Sequence, residues 1–272
     1  MRQSGIILDK CFLQGASPDT LEQLSETYLL LMPDVLFYEL ISSVEPSRSR
    51  CFNKFPNSEN PIPVTQHIGA LLRQELETHK PCGLPSENLV DINYRFNPGL
   101  ATGEYKLTNT DIETCKGIEE ELDNDISKLL TRVHSLEDLF PDFHNKLRHG
   151  QKAYAEELMI AVAEDTTGIA TFLSKLELPN GKSMPSKESL NPSWAIFRWF
   201  QVQLLFAIDI ALRYGIQEEF DLTPSLRTKL EHDVLDSHYV IQGVLENSFA
   251  TNEKKLKQFF ELLSPEGNLV SE

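Results

Sequence analysis

The chain has 272 residues, of which 40% are hydrophobic and 24% charged. That is the composition of an ordinary globular protein, long enough for one large domain or two small ones. Its formal net charge of −16 argues against a broad basic surface that grips nucleic acid anywhere; a solvated acidic surface that aids solubility is the favoured reading, beside a local basic patch, bound cations or a basic protein partner.

The N-terminus runs straight into a strand-like segment with no signal-peptide pattern, so a reducing, cytoplasmic setting is expected. The cysteines Cys11, Cys51, Cys82 and Cys115 lie too far apart in sequence for a zinc knuckle. Residues 5–8 form a short apolar run closed by Asp9, the pattern of a buried strand with an acid at its C-terminal end. Taken alone, Asp9 is equally a turn residue or a cap. Ser17 caps a predicted helix over 18–26, residues 28–32 read as a second strand, and Pro33 opens a helix over 34–43. Glu39 sits there among Val35, Leu36, Leu40 and Ile41. A carboxylate so embedded needs a partner, unless it lies on the exposed face.

Residues 45–63 are rich in Pro, Ser and Asn and read as a loop. Arg48, Arg50 and Lys54 lie in it close to Phe52 and Phe55. Basic residues mixed with aromatics suit a single strand, through phosphate contacts and base stacking. For the loop taken alone, phenylalanines docked on the core are favoured. A helix over 64–79 follows, with Ile68, Leu71, Leu72 and Leu76 apolar and Arg73 on its flank, where it either faces a site or, as favoured, makes a surface salt bridge. Residues 81–103 are a breaker-rich connection. Residues 110–133 form an acidic helix with a solvated face, Ser135 caps another helical piece, and 151–178 read as one long helix before a loop to 193. The apolar run 194–212, ended by Gly215, is interrupted by Arg198, Gln201, Gln203 and Asp209. It is expected to be a buried helix and no membrane span, with Trp194 and Trp199 as core anchors. His67, His144 and His238 lack metal-ligand spacing and are taken as structural.

The last helix–strand–helix run carries the most information. Thr223 and Pro224 start a helix with Leu230, Val234, Ile241 and Leu245 near one face. Asp233 and Asp236 are three apart, so both can point the same way. The helix stops near Asn247, residues 248–251 read as a strand ending at Asn252 and Glu253, and a helix with Leu256, Phe259, Phe260 and Leu263 follows. Residues 268–270 suggest a last strand. Alternating strands and helices at both ends imply one parallel sheet, with sites at the strand C-termini. Neither a Ser-His-Asp or Cys-His set nor a glycine-rich phosphate loop is present in the sequence.

The phrases IILDKCF and PDVLFYELI, together with Asp236, Tyr239, Val240 and then Ala250, Thr251, Asn252, Glu253 and Leu256, resemble the PIN-domain nucleases. The resemblance covers roughly the first 45 and last 50 residues. It implies an α/β fold: a PIN-like three-layer sandwich around a small parallel sheet, as a single domain over 1–272 with a mainly helical insertion at 51–200. It implies Mg²⁺ or Mn²⁺ held principally by Asp9 and Asp236, with Glu39 and Glu253 completing the cluster. Glu253 stands where the family usually carries Asp. Asp233 is a competing or additional ligand, or orients a water. Arg48, Arg50, Lys54 and Asn252 are the expected substrate contacts. The implied activity is a metal-dependent nuclease, a single-strand endoribonuclease, with RNA favoured over DNA by the resemblance alone. The alternative is a catalytically weak PIN-fold scaffold, a binding or regulatory subunit, which the acidity and Glu253 favour. A third reading is an unrelated helical interaction protein with two accidental strand–helix ends. Expected partners are nucleic acid and, beyond it, a protein partner or a second copy; no membrane is expected.

Overall fold

The structure, a computed structural model, describes residues 3–56, 60–90, 97–148, 152–178, 183–217 and 220–272. Four short parallel strands, β1 (Ser4–Leu8), β2 (Tyr28–Leu31), β3 (Ser248–Ala250) and β4 (Asn268–Val270), form one sheet in the order β2-β1-β3-β4. The two central strands therefore come from opposite ends of the chain. Ile6 stands opposite Leu30, Ile7 opposite Phe249, and Phe249 opposite Leu269. Ile6, Ile7, Leu8, Phe249 and Ala250 are fully buried. A parallel strand covered on both faces has no use for alternation, which is why these segments read as continuous apolar runs.

Helices α1 (Lys10–Gly15) and α2 (Pro18–Thr27) link β1 to β2, and α3 (Asp34–Ile41) follows β2. Ser17 caps α2, accepting from the Thr20 amide at 3.0 Å. The middle of the chain supplies α4 (Ser47–Phe52), α5 (Ile68–Thr78), α6 (Pro98–Thr102), α7 (Asn109–Leu139), α8 (Phe143–Arg148), α9 (Lys152–Glu164) and α10 (Thr166–Leu173). Then come α11 (Ala195–Tyr214), α12 (Pro224–Glu246) and α13 (Lys254–Leu263). The result is a mixed α/β architecture in which α12 lies across β1 and β3 and joins the sheet to the helical part.

The axis of that helical part is α11, which packs against α5, α7, α9, α10 and α12. By length and composition it could cross a membrane, but 78% of its most apolar window is buried inside the protein. Its polar residues have partners there. Gln201 donates to the Val162 carbonyl at 3.0 Å, at the end of α9, and accepts from Arg198 at 3.0 Å. The N-terminus of α11 has no cap of its own. Glu75 of α5 serves instead: fully buried, it accepts from the amides of Ala195 at 2.7 Å, Ile196 at 2.9 Å and Cys82 at 3.0 Å. Those amides would otherwise be orphaned.

Several expected boundaries shift for local reasons. Residues 47–52 are helical, not loop, and Phe52 and Phe55 are buried on the core. Val64 and Thr65 bridge to Met32 and Leu89, so α5 begins only at Ile68. Ser135 caps nothing: it lies inside α7, its hydroxyl donating back to the Thr131 carbonyl at 3.1 Å. The expected long helix over 151–178 divides at Asp165, whose carboxylate caps α10 through the Gly168 amide at 2.8 Å. Within the breaker-rich 81–103 connection lie a 3₁₀ turn, Pro85–Glu87, and α6. Residues 57–59, 91–96 and 179–182 of the expected connections, and Gln151 at the expected helix start, lie outside the described residues.

Gly5 fixes how closely β1 meets α12. A Cβ there would collide with the Glu246 carboxylate and come within 2.6 Å of a Leu31 methyl. Glu246 is itself held by the Ser86 amide at 2.9 Å. Gly5→Ala should therefore destabilise by about 1–3 kcal/mol, the usual cost of overpacking, read as a lower midpoint in urea with unchanged slope.

Candidate functional site

The C-terminal edge of the two central strands gathers acids from four places. Asp9 ends β1, and its backbone amide donates to the Ala250 carbonyl of β3 at 3.0 Å. Its buried carboxylate accepts from the Thr251 hydroxyl at 2.6 Å. Glu39 reaches in from α3, accepting from the Tyr239 hydroxyl at 2.6 Å and from Lys10 at 3.0 Å. Asp236 projects from α12, and Glu253 begins α13 directly after β3.

These acids feel one another. Burial, with Glu253 and Glu39 adding to it, pushes Asp9 up to about 6 against the Thr251 hydroxyl and the Cys11 amide. Burial pushes Asp236 up to about 7, against Lys255, with Glu253 and Asp9 adding. The Tyr239 phenol, buried beside Glu39, Asp9 and Asp236, is held well above its ordinary value and stays a donor. Desolvated like charges in one place are the physical cause throughout.

Two lysines answer that charge. The Lys255 ammonium lies 2.8 Å from Asp233, 2.8 Å from Asp236 and 3.9 Å from Glu253, over the face of Phe206. Burial alone would lower its pKa, but Asp236 and Asp233 outweigh burial and hold it above the ordinary lysine value. Asp233 is drawn to a different role from that expected. It is buried between Lys255 and Arg213, which donates to it at 2.6 Å, and so anchors the lysine from behind the cluster.

The expected substrate cations are placed otherwise. Arg48 is buried, donating to Glu45 at 2.8 Å and to the carbonyls of Ile41 and Tyr105, both at 3.3 Å. It ties α3 to the segment before α7. Lys54 donates to the carbonyls of Leu13 at 2.8 Å and Gln14 at 2.7 Å, closing the C-terminal end of α1. Arg50 alone of the three is exposed. The side-chain oxygen of Asn252 accepts from the Glu272 amide at 2.9 Å. An opening of about 420 Å³ beside the acids is lined instead by Lys10, Tyr38, Glu39, Glu119, Arg227 and His232.

Sequence reasoning passed over Lys10, Lys255, Tyr239 as a donor, and Arg213. The available signal was simple: buried acids require cations, and lysines flank both strand-end acids. The donor set, carboxylate oxygen only and mutually repelling, fits a hard divalent cation such as Mg²⁺ or Mn²⁺. In this arrangement, with Lys10 on Glu39 and Lys255 on Asp236, no three acid, His or Cys groups among the described residues are gathered tightly enough to hold an ion. Comparison of the chain with protein-family models, curated proteins and solved structures gave no match.

Lys255 thus stands where an added cation would compete. Lys255→Met keeps the length and removes the charge. The metal-free variant should melt several degrees lower, because buried Asp233 and half-buried Asp236 lose a partner. Its midpoint for stabilisation by Mn²⁺ should fall about tenfold or more. Melting curves across a Mn²⁺ titration measure both; an unshifted midpoint would show that the ammonium does not compete.

Proposed function

We propose that this chain is a metal-dependent phosphodiesterase of PIN-like fold that cuts single-stranded RNA. The observation that carries this reading is the meeting of buried Asp9 and half-buried Asp236, two carboxylates of raised pKa, at the C-terminal edge of the central strands with Glu39 and Glu253 beside them. Asp9 and Asp236 would be the principal ligands of Mg²⁺ or Mn²⁺, and Glu39 and Glu253 would complete the shell. When bound, the cation supplies charge stabilisation at the scissile phosphate and lowers the pKa of the attacking water. The chain's own residues do the positioning. The Thr251 hydroxyl fixes one Asp9 oxygen, while the Tyr239 phenol and the Lys10 ammonium take one Glu39 oxygen each. The Asp233–Arg213 pair holds Lys255 against Asp236. RNA is preferred to DNA on the family resemblance alone.

A second reading, a PIN-fold scaffold without useful catalysis, is favoured by one feature: Lys10 and Lys255 already neutralise the acids. Labelled single-stranded RNA and DNA incubated with purified protein in Mn²⁺, Mg²⁺ or EDTA separate the readings. Cleavage that needs the cation and is lost in Asp9→Asn supports the enzyme. Stabilisation by the cation without cleavage of either substrate supports the scaffold, and cleavage that survives EDTA rejects both.

A further inference from the structure

A second cavity, of about 370 Å³, lies between α5, α7, α11 and α12, and none of Asp9, Glu39, Asp236 or Glu253 lines it. Its charge runs against the rest of the molecule. Arg73 of α5, Lys128 and Arg132 of α7 face it, together with the acids Glu121 and Asp125. Lys128 is paired with Asp125 at 2.8 Å. Neither Arg73 nor Arg132 forms an ion pair among the described residues. Asp125 acts on Arg132 without forming an ion pair with it, so in a chain of net charge −16 both arginines facing this cavity can take an anion from outside.

The wall is built to hold Arg132. Its guanidinium lies 4.4 Å from the Trp199 ring centroid and donates to the side-chain oxygen of Gln203 at 3.2 Å. Gln203, buried, is in turn fixed by donating to the Ser237 hydroxyl at 3.3 Å. The stacked guanidinium and indole make a flat, cationic platform of the kind that nucleobases stack on. His238 also lines the cavity; it is 8% exposed, and its Nδ1 has no hydrogen-bond partner. A polar atom left unpaired in so buried a side chain can take a hydrogen bond from a water or a ligand that enters the cavity. The volume is that of a small-molecule site and exceeds what a bare phosphate fills.

We propose that this cavity binds a nucleoside phosphate unit, its base against the Arg132–Trp199 platform and its phosphate on Arg73 and Lys128. The unit is either a free nucleotide or one residue of a strand. The site goes beyond the nuclease reading, since it uses none of the acidic cluster.

Calorimetry on the full chain in EDTA tests it, with uridine and adenosine monophosphates as probes, and adenosine and inorganic phosphate as controls. The monophosphates should bind more tightly than either control. Arg132→Gln should weaken them about tenfold or more. So should Arg73→Gln, an exposed position on α5 whose change leaves the core untouched. Asp9→Asn should bind like the unaltered protein, which separates this site from the proposed nuclease site. A uridine decamer that displaces the monophosphate with higher affinity assigns the unit to a strand; one that fails to displace it assigns a free nucleotide. No binding at millimolar nucleotide, affinity unchanged in both arginine variants, or inorganic phosphate binding as tightly as the nucleotides would overturn the proposal.

Discussion

Asp236→Asn should abolish the proposed cation-dependent cleavage, by about 10³-fold or more, and leave the protein folded. The substitution keeps shape and removes one ligand charge, so the loss belongs to the chemistry. Its effect on stability has a definite sign. Asp236 has a folded value of about 7 against an ordinary 3.8. Between those values the folded chain keeps a proton that the unfolded chain has released. The stability contributed by this group is therefore full below pH 3.8 and is lost as pH rises through 7, by about 4 kcal/mol in all. Asp9, raised to about 6, acts in the same direction. His238, which burial and then His67 depress to about 4, acts in the opposite direction below pH 6.5. Above pH 6.5 the comparison is consequently clean. At pH 8 without metal, Asp236→Asn should melt above the unaltered protein; with saturating Mn²⁺ the order should reverse. Equal melting temperatures of the unaltered protein and Asp236→Asn at pH 8 without metal would mean that Asp236 is not held in the protonated form.

Glu75→Leu should be the most damaging single change to the fold. It leaves the amides of Cys82, Ala195 and Ile196 buried without acceptors, at the start of the helix that carries the helical core. The expected cost is about 3–5 kcal/mol, a fall in Tm of roughly 8–15 °C for a chain of this size. Glu75→Gln keeps one acceptor oxygen and should cost less than half as much. Thermal melts of the two variants side by side check the claim; a Leu variant no worse than Gln would show that the amides find other partners.

What could be read from the sequence was local. The sheet-forming ends declare themselves through short apolar runs bounded by caps and breakers, as at Asp9, Ser17, Thr223–Pro224 and Asn247, each of which takes the place its chemistry suggests. The placement of Asp9 at a strand end and of Glu39 and Asp236 on helices was legible for the same reason. The partners were not. Lys10 meets Glu39 across 29 positions, Arg48 meets Tyr105 across 57, and Glu75 meets Ala195 across 120. No periodicity encodes such pairings. A basic, aromatic stretch such as the one around Arg48 and Lys54 looks alike in sequence whether it meets a phosphate or, as these two side chains do, closes the ends of neighbouring helices. The Trp199 cavity escaped notice because its wall is assembled from four helices far apart in the chain.

The pairing of β1 with β3 also dictates a timetable. Asp9 and Thr251, joined by a hydrogen bond, are 242 positions apart. At ribosomal speeds, on the order of 5–20 residues per second, β1 emerges roughly 12–50 s before its inner neighbour exists. Over that interval β2 can cover one side of Ile6–Ile7–Leu8, while the other side stays an open apolar edge, a template for the wrong strand. The proposed catalytic edge cannot exist on a nascent chain, because Asp236 and Glu253 arrive last. A growing chain would carry the whole helical middle, and with it the Trp199 cavity wall from α5, α7 and α11, before it could cut anything. Under the proposed function, any truncation before residue 248 should leave a chain that cleaves nothing.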